Sequence, residues 1–255
     1  MSRKAMAIAC HPDDIEFMMA GTLLLLKEKG YEIHYMNVAN GSCGTEQFDY
    51  ETIVKMRREE AVAASKIAGA VFHDSLVNDL EVFYDLDTLS RLASVVREVE
   101  PEIILTHYPY DYMEDHSNTC RLAVSAAFVR GMPNFKTVPP LRTVKTPVTI
   151  YHSMPHGLKD PLKRSIQPEF FIDVSSVIET KKRMLAAHRS QKDWLDKSQG
   201  MDSYVNSMVD MTGEVGKISG KFKFAEGWIK HLHAGLCGPD TDPLKDALLS
   251  ACQLR

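Results

Sequence analysis

The chain has 255 residues, 44% hydrophobic and 25% charged, which is the balance of a soluble globular protein long enough to close one large core. A net charge of −4 lacks the basic excess of a nucleic-acid binder, and no apolar run approaches the roughly 18 residues that a membrane span needs. The five cysteines are odd in number and form no Cys-x-x-Cys pair, which reads as reduced thiols in a cytoplasmic protein rather than a disulfide framework.

Met1-Ser2-Arg3-Lys4 is basic and precedes an apolar stretch, but His11, Asp13 and Asp14 interrupt that stretch too early for a signal peptide. Ala5–Ala9 predicts a buried strand, and Asp14–Lys29 predicts a helix ended by Gly30. Ile33–Ala39 predicts a second strand, followed by the turn-rich loop Asn40-Gly41-Ser42-Cys43-Gly44. Tyr50–Ala68 carries apolar residues at helical spacing and stops at Gly69, and Ala70–Phe72 is a short strand candidate. Leu86–Val99 predicts a helix, Pro101 opens the strand Glu102–Thr106, and a further helix runs from about Ser117 to Arg130. Strands alternating with helices predict an α/β fold with a mainly parallel sheet and right-handed crossovers.

The second half is less regular. Met132–Pro147 reads as a long loop and a candidate active-site rim. Val148–Ser153 and Phe170–Val174 predict two more strands, and Ser175 or Ser176 predicts the cap of a helix reaching about Gln191. Residues 200–220 read as a flap or subunit contact; within them the aromatic and methionine content of Tyr204–Met211 suits a substrate groove or subunit contact, with simple packing as the default reading. Residues 1–255 are expected to form one domain, with a less regular C-terminal extension from about 195.

The chemistry concentrates in Ala9-Cys10-His11-Pro12-Asp13-Asp14-Ile15-Glu16, where three ionisable groups stand at the tip of a predicted core strand. Open α/β sheets place ligand sites at such tips. A catalytic zinc site takes three protein ligands and leaves a position for water. His11 and Asp14 supply two ligands. The third is expected from Tyr110-Asp111-Tyr112-Met113-Glu114-Asp115-His116, after the Glu102–Thr106 strand, with His116 on the ion and Asp115 orienting an imidazole. Asp13 is left over and suits a general base. The competing reading makes Asp13 the N-cap of the next helix and His116 a surface histidine. Two such segments at two strand ends favour the metal, and capping is compatible with it.

These residues resemble the PIG-L/LmbE-like zinc-dependent de-N-acetylases. His11-Pro12-Asp13-Asp14-Ile15-Glu16 is similar to that family's amino-terminal motif, and Arg57 and Glu60 ahead of Gly69 are similar to its Arg-x-x-Glu helix. Asp111 to His116 matches its second metal motif, and Lys182 to Gln191, with His188-Arg189-Ser190-Gln191, its late Lys…His-x-Ser-Gln helix. The resemblance covers roughly residues 5–195 and implies a Rossmann-like three-layer sandwich. It also implies a zinc hydrolase that acts on an N-acylated amino sugar, a small-molecule amino-sugar conjugate. By position, His11, Asp14 and His116 resemble the metal ligands, Asp13 the base, and Arg57 a substrate-side residue, with an Arg57–Glu60 pair as its structural alternative. Another divalent ion such as Fe2+ suits the same donors. Members of the family often assemble into homo-oligomers.

One place departs from the pattern. The family commonly has His-x-Asp-His where this chain reads Met113-Glu114-Asp115-His116, and a thioether neither donates a hydrogen bond nor titrates. Tyr112, His188, His107 and His152 are the candidate replacements, with His188 and Tyr112 carried as catalytic. The rival readings are a non-catalytic metal- or sugar-binding relative and a metal hydrolase of a non-sugar amide. His231-x-His233 reads as a surface pair. Gly41-Ser42-Cys43-Gly44 reads as an anion cradle without the spacing of a nucleotide loop, and Cys43 as an unsupported nucleophile.

Overall fold

The computed structural model describes residues 3–192 and 204–255. Among them one sheet holds β1 (Lys4–Ala9), β2 (Glu32–Asn37), β3 (Val71–His73), β4 (Ile103–Thr106), β5 (Thr149–Ser153), β6 (Phe170–Asp173), β7 (Ala225–Lys230) and β8 (Cys252–Leu254). The helices are α1 (Asp14–Met18), α2 (Ala20–Glu28), α3 (Tyr50–Ala68), α4 (Leu86–Val99), α5 (Glu114–Val129), α6 (Ile178–Leu185), α7 (Tyr204–Ser219) and α8 (Pro243–Leu248). The strand order is β3-β2-β1-β4-β5-β7-β6-β8. β1 to β5 pair in parallel, whereas β7, β6 and β8 join by antiparallel ladders.

The period of two along β1 builds both cores. Ala5, Ala7 and Ala9 face one cluster with Leu23 and Leu26 of α2, Ala61 and Ala64 of α3, and Met184 of α6. Met6, Ile8 and Cys10 face the other, with Leu92 and Val96 of α4 and Leu122 and Ala126 of α5. Helices therefore cover both faces of the parallel half, as its near-continuous apolar strands require. The result is the expected α/β sandwich. Strand order reverses between β1 and β4, so a crevice opens beyond the carboxyl ends of these two strands.

Several elements differ from expectation. The single helix expected over Asp14–Lys29 is two, because Met19 leaves helical geometry at φ −134° and ψ −22°. The helix expected to reach Gln191 leaves helical geometry after Leu185, and helical residues resume at Arg189. Residues 204–219, expected as part of a flap or contact, form α7, and the expected extension carries β7, which enters the sheet between β5 and β6. Met132–Pro147 is irregular as expected but is no rim. Arg97 of α4 pins it by donating to the carbonyls of Met132, Phe135 and Leu141. Among the described residues no helix is long and apolar enough to cross a membrane.

Candidate metal centre

β1 delivers its last residue, Ala9, directly into the turn that carries His11, Asp13 and Asp14. The turn is tied internally by the His11 N–H, which donates to Asp14 Oδ2 at 2.7 Å, and externally by Asn37 Nδ2, which donates to the His11 carbonyl at 2.6 Å. Asp13 adopts φ 114°, a region that costs a non-glycine residue of order 1–3 kcal/mol and clusters at functional sites. It occupies the N-cap position of α1, yet its side chain makes no capping bond. The carboxylate instead accepts a hydrogen bond from the Tyr204 hydroxyl of α7, and Arg57 Nη2 lies 3.9 Å from it. Burial raises the Asp13 carboxyl to about 6, while the charge of Arg57 opposes that rise.

β4 delivers the second segment. His107 is fully buried, and its Nε2 accepts from the Cys10 N–H at 2.8 Å, which joins the two strand ends. α5 then starts at Glu114 and carries Asp115 and His116 in its first turn. Three atoms converge: His11 Nδ1 to His116 Nε2 is 3.3 Å, His116 Nε2 to Asp14 Oδ2 is 3.3 Å, and His11 Nδ1 to Asp14 Oδ2 is 3.5 Å. A tetrahedral ligand set with bonds of about 2.0–2.1 Å has edges of about 3.3–3.4 Å. The far nitrogens are committed elsewhere. His116 Nδ1 donates to Asp111 Oδ1 at 3.0 Å, and His11 Nε2 donates to Asp115 Oδ2 at 3.2 Å. These carboxylate partners leave a lone pair on each near nitrogen, the tautomer a metal-binding imidazole needs. Two imidazole lone pairs and a carboxylate facing one point fit a divalent cation.

The titration directions report the same demand for positive charge. Burial pulls His116 down, but Asp14 and the bond to Asp111 outweigh it and push His116 up to about 10. Burial likewise opposes the charged form of Asp14, yet the neighbouring charge of His116 holds it well below the usual carboxylate range.

The cluster opens on a cavity of about 400 Å³. Asp13, Arg57, Tyr112 and Met113 line it beside His11, Asp14 and His116. Tyr112 packs edge-on to His116 with ring centroids 5.6 Å apart. Arg57 is buried and donates to the Pro12 carbonyl at 2.6 Å, while its Nε and Nη1 have no partner among the described residues. Glu60 does not pair with Arg57. It accepts from the Ser190 N–H and hydroxyl and ties α3 to the His188–Gln191 segment.

His188 does not reach the cavity. It is buried, with its Nε2 3.5 Å from Glu16 Oε2, and this geometry corrects its expected catalytic placement. His107 and His152 are also buried behind the cavity: His107 stacks on His116 at 4.3 Å, and His152 Nδ1 donates to the His107 carbonyl at 2.8 Å. His231 pairs with His152, ring nitrogen to ring nitrogen, at 2.9 Å. The Gly41–Gly44 loop holds the carboxylate of Asp79, which accepts from the Gly41 and Cys43 N–H groups. The buried lysine of the late helix is Lys181, whereas Lys182 is exposed and pairs with Glu179. Sequence reasoning missed Asp79 and His156 as cavity residues, because each reaches the crevice from a separate element with no local signature; Gln191 was singled out only as a motif position and Tyr204 only within a segment read by default as packing.

The chain's residues 6–127 match the family model described as PIG-L, GlcNAc-PI de-N-acetylase. It is 31% identical over 189 residues to a 4-oxalmesaconate hydratase of Pseudomonas putida, covering 70% of each chain. The chain belongs to the PIG-L family. Another member, a diacetylchitobiose deacetylase of Thermococcus kodakarensis, is 26% identical over 196 residues, covering 74% of this chain and 70% of that one. The PIG-L fold itself recurs in the crystal structure of a 4-carboxy-2-hydroxymuconate hydratase from Pseudomonas putida, at a TM-score of 0.72 and 24% identity, covering 89% of this chain and 95% of that one. It recurs in an N,N′-diacetylchitobiose deacetylase from Pyrococcus horikoshii, at a TM-score of 0.71 and 22% identity, covering 90% and 84%. PIG-L relatives are thus enzymes, both deacetylases and hydratases.

Proposed function

We propose that the protein is a metal-dependent hydrolase that removes the acetyl group from an N-acetylated amino sugar. The observation that carries this reading is the convergence of His11 Nδ1, Asp14 Oδ2 and His116 Nε2 on one point, with the Asp13 carboxylate held beside them in the same cavity. Zinc suits two imidazoles and one carboxylate with a position left open, and ferrous iron accepts the same donors. When bound, the ion supplies Lewis-acid polarisation of the amide oxygen and eases deprotonation of water.

The chain's own groups divide the remaining work. Asp13 takes the proton of the attacking water, and its raised carboxyl suits a base that also releases that proton readily. Tyr112, edge-on to His116, donates its hydroxyl to the oxyanion that develops on the acyl oxygen. Arg57 offers Nε and Nη1 to a substrate oxygen, since neither has an acceptor among the described residues. His188 is given no catalytic part, since it packs against Glu16 outside the cavity. The diacetylchitobiose deacetylase relative supports an amino-sugar substrate. Five free cysteines support a cytoplasmic setting.

A second reading, hydration of a small unsaturated carboxylic acid, is favoured by the 31% identical hydratase and by Met113 on the cavity wall. Water addition to a double bond expels no amine, so a thioether at that wall costs nothing, and Arg57 suits a carboxylate. One experiment separates the two. Zinc-loaded protein is offered a panel of N-acetylglucosaminides and a panel of conjugated enoic acids, beside Asp13→Ala. Acetate release that vanishes in the variant, with metal content unchanged, is expected. Loss of enoate absorbance without acetate moves the assignment to hydration, and full activity in Asp13→Ala removes the base role.

A further inference from the structure

The geometry points to His156 as the group that protonates the leaving amine, an inference that rests on the de-N-acylation reading above. His156 opens the short 3-10 turn His156–Leu158 beyond β5, where Gly157 at φ 71° turns the chain. Cleavage of an alkyl amide needs two proton movements, one from water and one to nitrogen. Asp13 provides for the first. The second needs a cavity group that carries a proton near neutral pH and is not already held by the protein.

The described cavity residues leave few choices. Asp13 accepts from Tyr204, and Asp79 accepts from two backbone N–H groups. His11 and His116 face the metal point. Arg57 stays charged, and the Met113 thioether cannot donate. His156 is the one cavity imidazole outside the metal cluster among the described residues, and no described residue hydrogen-bonds either of its ring nitrogens.

Its location is specific. An arc of rings runs along one wall: Tyr204 to Phe17 at 5.2 Å, Phe17 to His156 at 6.1 Å, His156 to Tyr112 at 6.1 Å, and Tyr112 to His116 at 5.6 Å between centroids. One end of the arc bonds the base and the other packs on a metal-cluster residue, and His156 stands at its middle. Phe17 and Tyr112 hold the imidazole by its faces and edges, which leaves the nitrogens to a substrate lying across the arc. Of the two rings packed against it among the described residues, Tyr112 is the titratable one.

The step balances. The oxygen of water bonds to the acyl carbon as Asp13 takes its proton and the C=O π pair moves onto the acyl oxygen, from which it returns when the amine leaves. The C–N bond then breaks, its electron pair stays on nitrogen, and nitrogen takes the proton of the His156 imidazolium. Neutral His156 regains a proton from solvent, to which Asp13 releases its own.

The test compares leaving groups in the metal-loaded full chain, wild type against His156→Gln, with rates counted above Asp13→Ala. An N-acetylglucosaminide expels an amine that must be protonated, whereas p-nitrophenyl acetate expels an anion that need not be. The expected result is a kcat lowered on the order of 10²- to 10³-fold for the amide. The ester rate should stay within about threefold, with KM and bound metal unchanged. Amide and ester rates that fall together, or an amide rate that does not fall, overturn the assignment. Absence of acetate release in wild type defeats the de-N-acylation reading itself, whereas an unchanged variant of an active enzyme defeats His156 alone.

Discussion

Asp13 is the residue where backbone, hydrogen bonding and charge meet. Its φ of 114° turns the carboxylate away from capping and toward Tyr204, whose hydrogen bond favours the ionised form. Removing that donor raises the carboxyl further. Tyr204→Phe is therefore expected to move the acid limb of the kcat/KM profile to higher pH by about one unit, since a hydrogen bond to a charged group is worth about 1.5 kcal/mol. The variant should bind metal as wild type does, and an acid limb that stays in place refutes the clamp. His11, Asp14 and His116 were legible because each lies next to a strong strand signal and the ligand types are distinctive. Tyr204 was not, since an aromatic at helical spacing reads as packing until the fold places it. His188 shows a related limit: a motif position specifies a neighbourhood, and only the fold shows that its ring packs against Glu16 rather than lining the cavity.

At the scale of elements, one carboxylate ties three of them together. Glu226 of β7 accepts from the Gly21 and Thr22 N–H groups at the start of α2 and from Lys181 Nζ of α6 at 2.7 Å. Lys181 and Glu226 are both buried. Glu226→Ala strands a buried ammonium and orphans two backbone donors, and loss of one partner of such a pair costs about 3–5 kcal/mol. A fall in the urea midpoint of matching size is expected, and a change below about 1 kcal/mol refutes the tie. The same residue explains why β7 was illegible. Ala225-Glu226-Gly227-Trp228 places an acid and a glycine in a strand, and the acid is tolerated only because partners distant in sequence neutralise it. The break at Met19 was illegible too, since apolar residues continue across it.

At the scale of the whole molecule, histidines held neutral make stability depend on acid. Burial, then the neighbouring His231, lower His152 to about 4, although its bond to the His107 carbonyl opposes them; burial, then His34, lower His73 to about 4. Both lie below the ordinary value of 6.5, so the folded state resists the proton that the unfolded chain accepts. The contribution of these two histidines is full above pH of about 6.5 and is lost as pH falls toward about 4, by on the order of 3 kcal/mol for His152 and less for the part-exposed His73. His152→Gln should flatten the dependence of Tm on pH across that window, and an unchanged slope counts against the account. The parallel half of the sheet was readable because strand and helix signals alternate there. In the antiparallel half β6 was readable as a strand, but its neighbours were not, because the order β5-β7-β6-β8 departs from chain order.

The division of the site between the two ends of the chain sets a timetable. Every donor of the metal cluster has left the ribosome once His116 has, but the hydroxyl that holds the base comes only with α7. On the proposed reading, synthesis therefore completes the set of side chains that would hold an ion well before it supplies the hydroxyl that would aim the base.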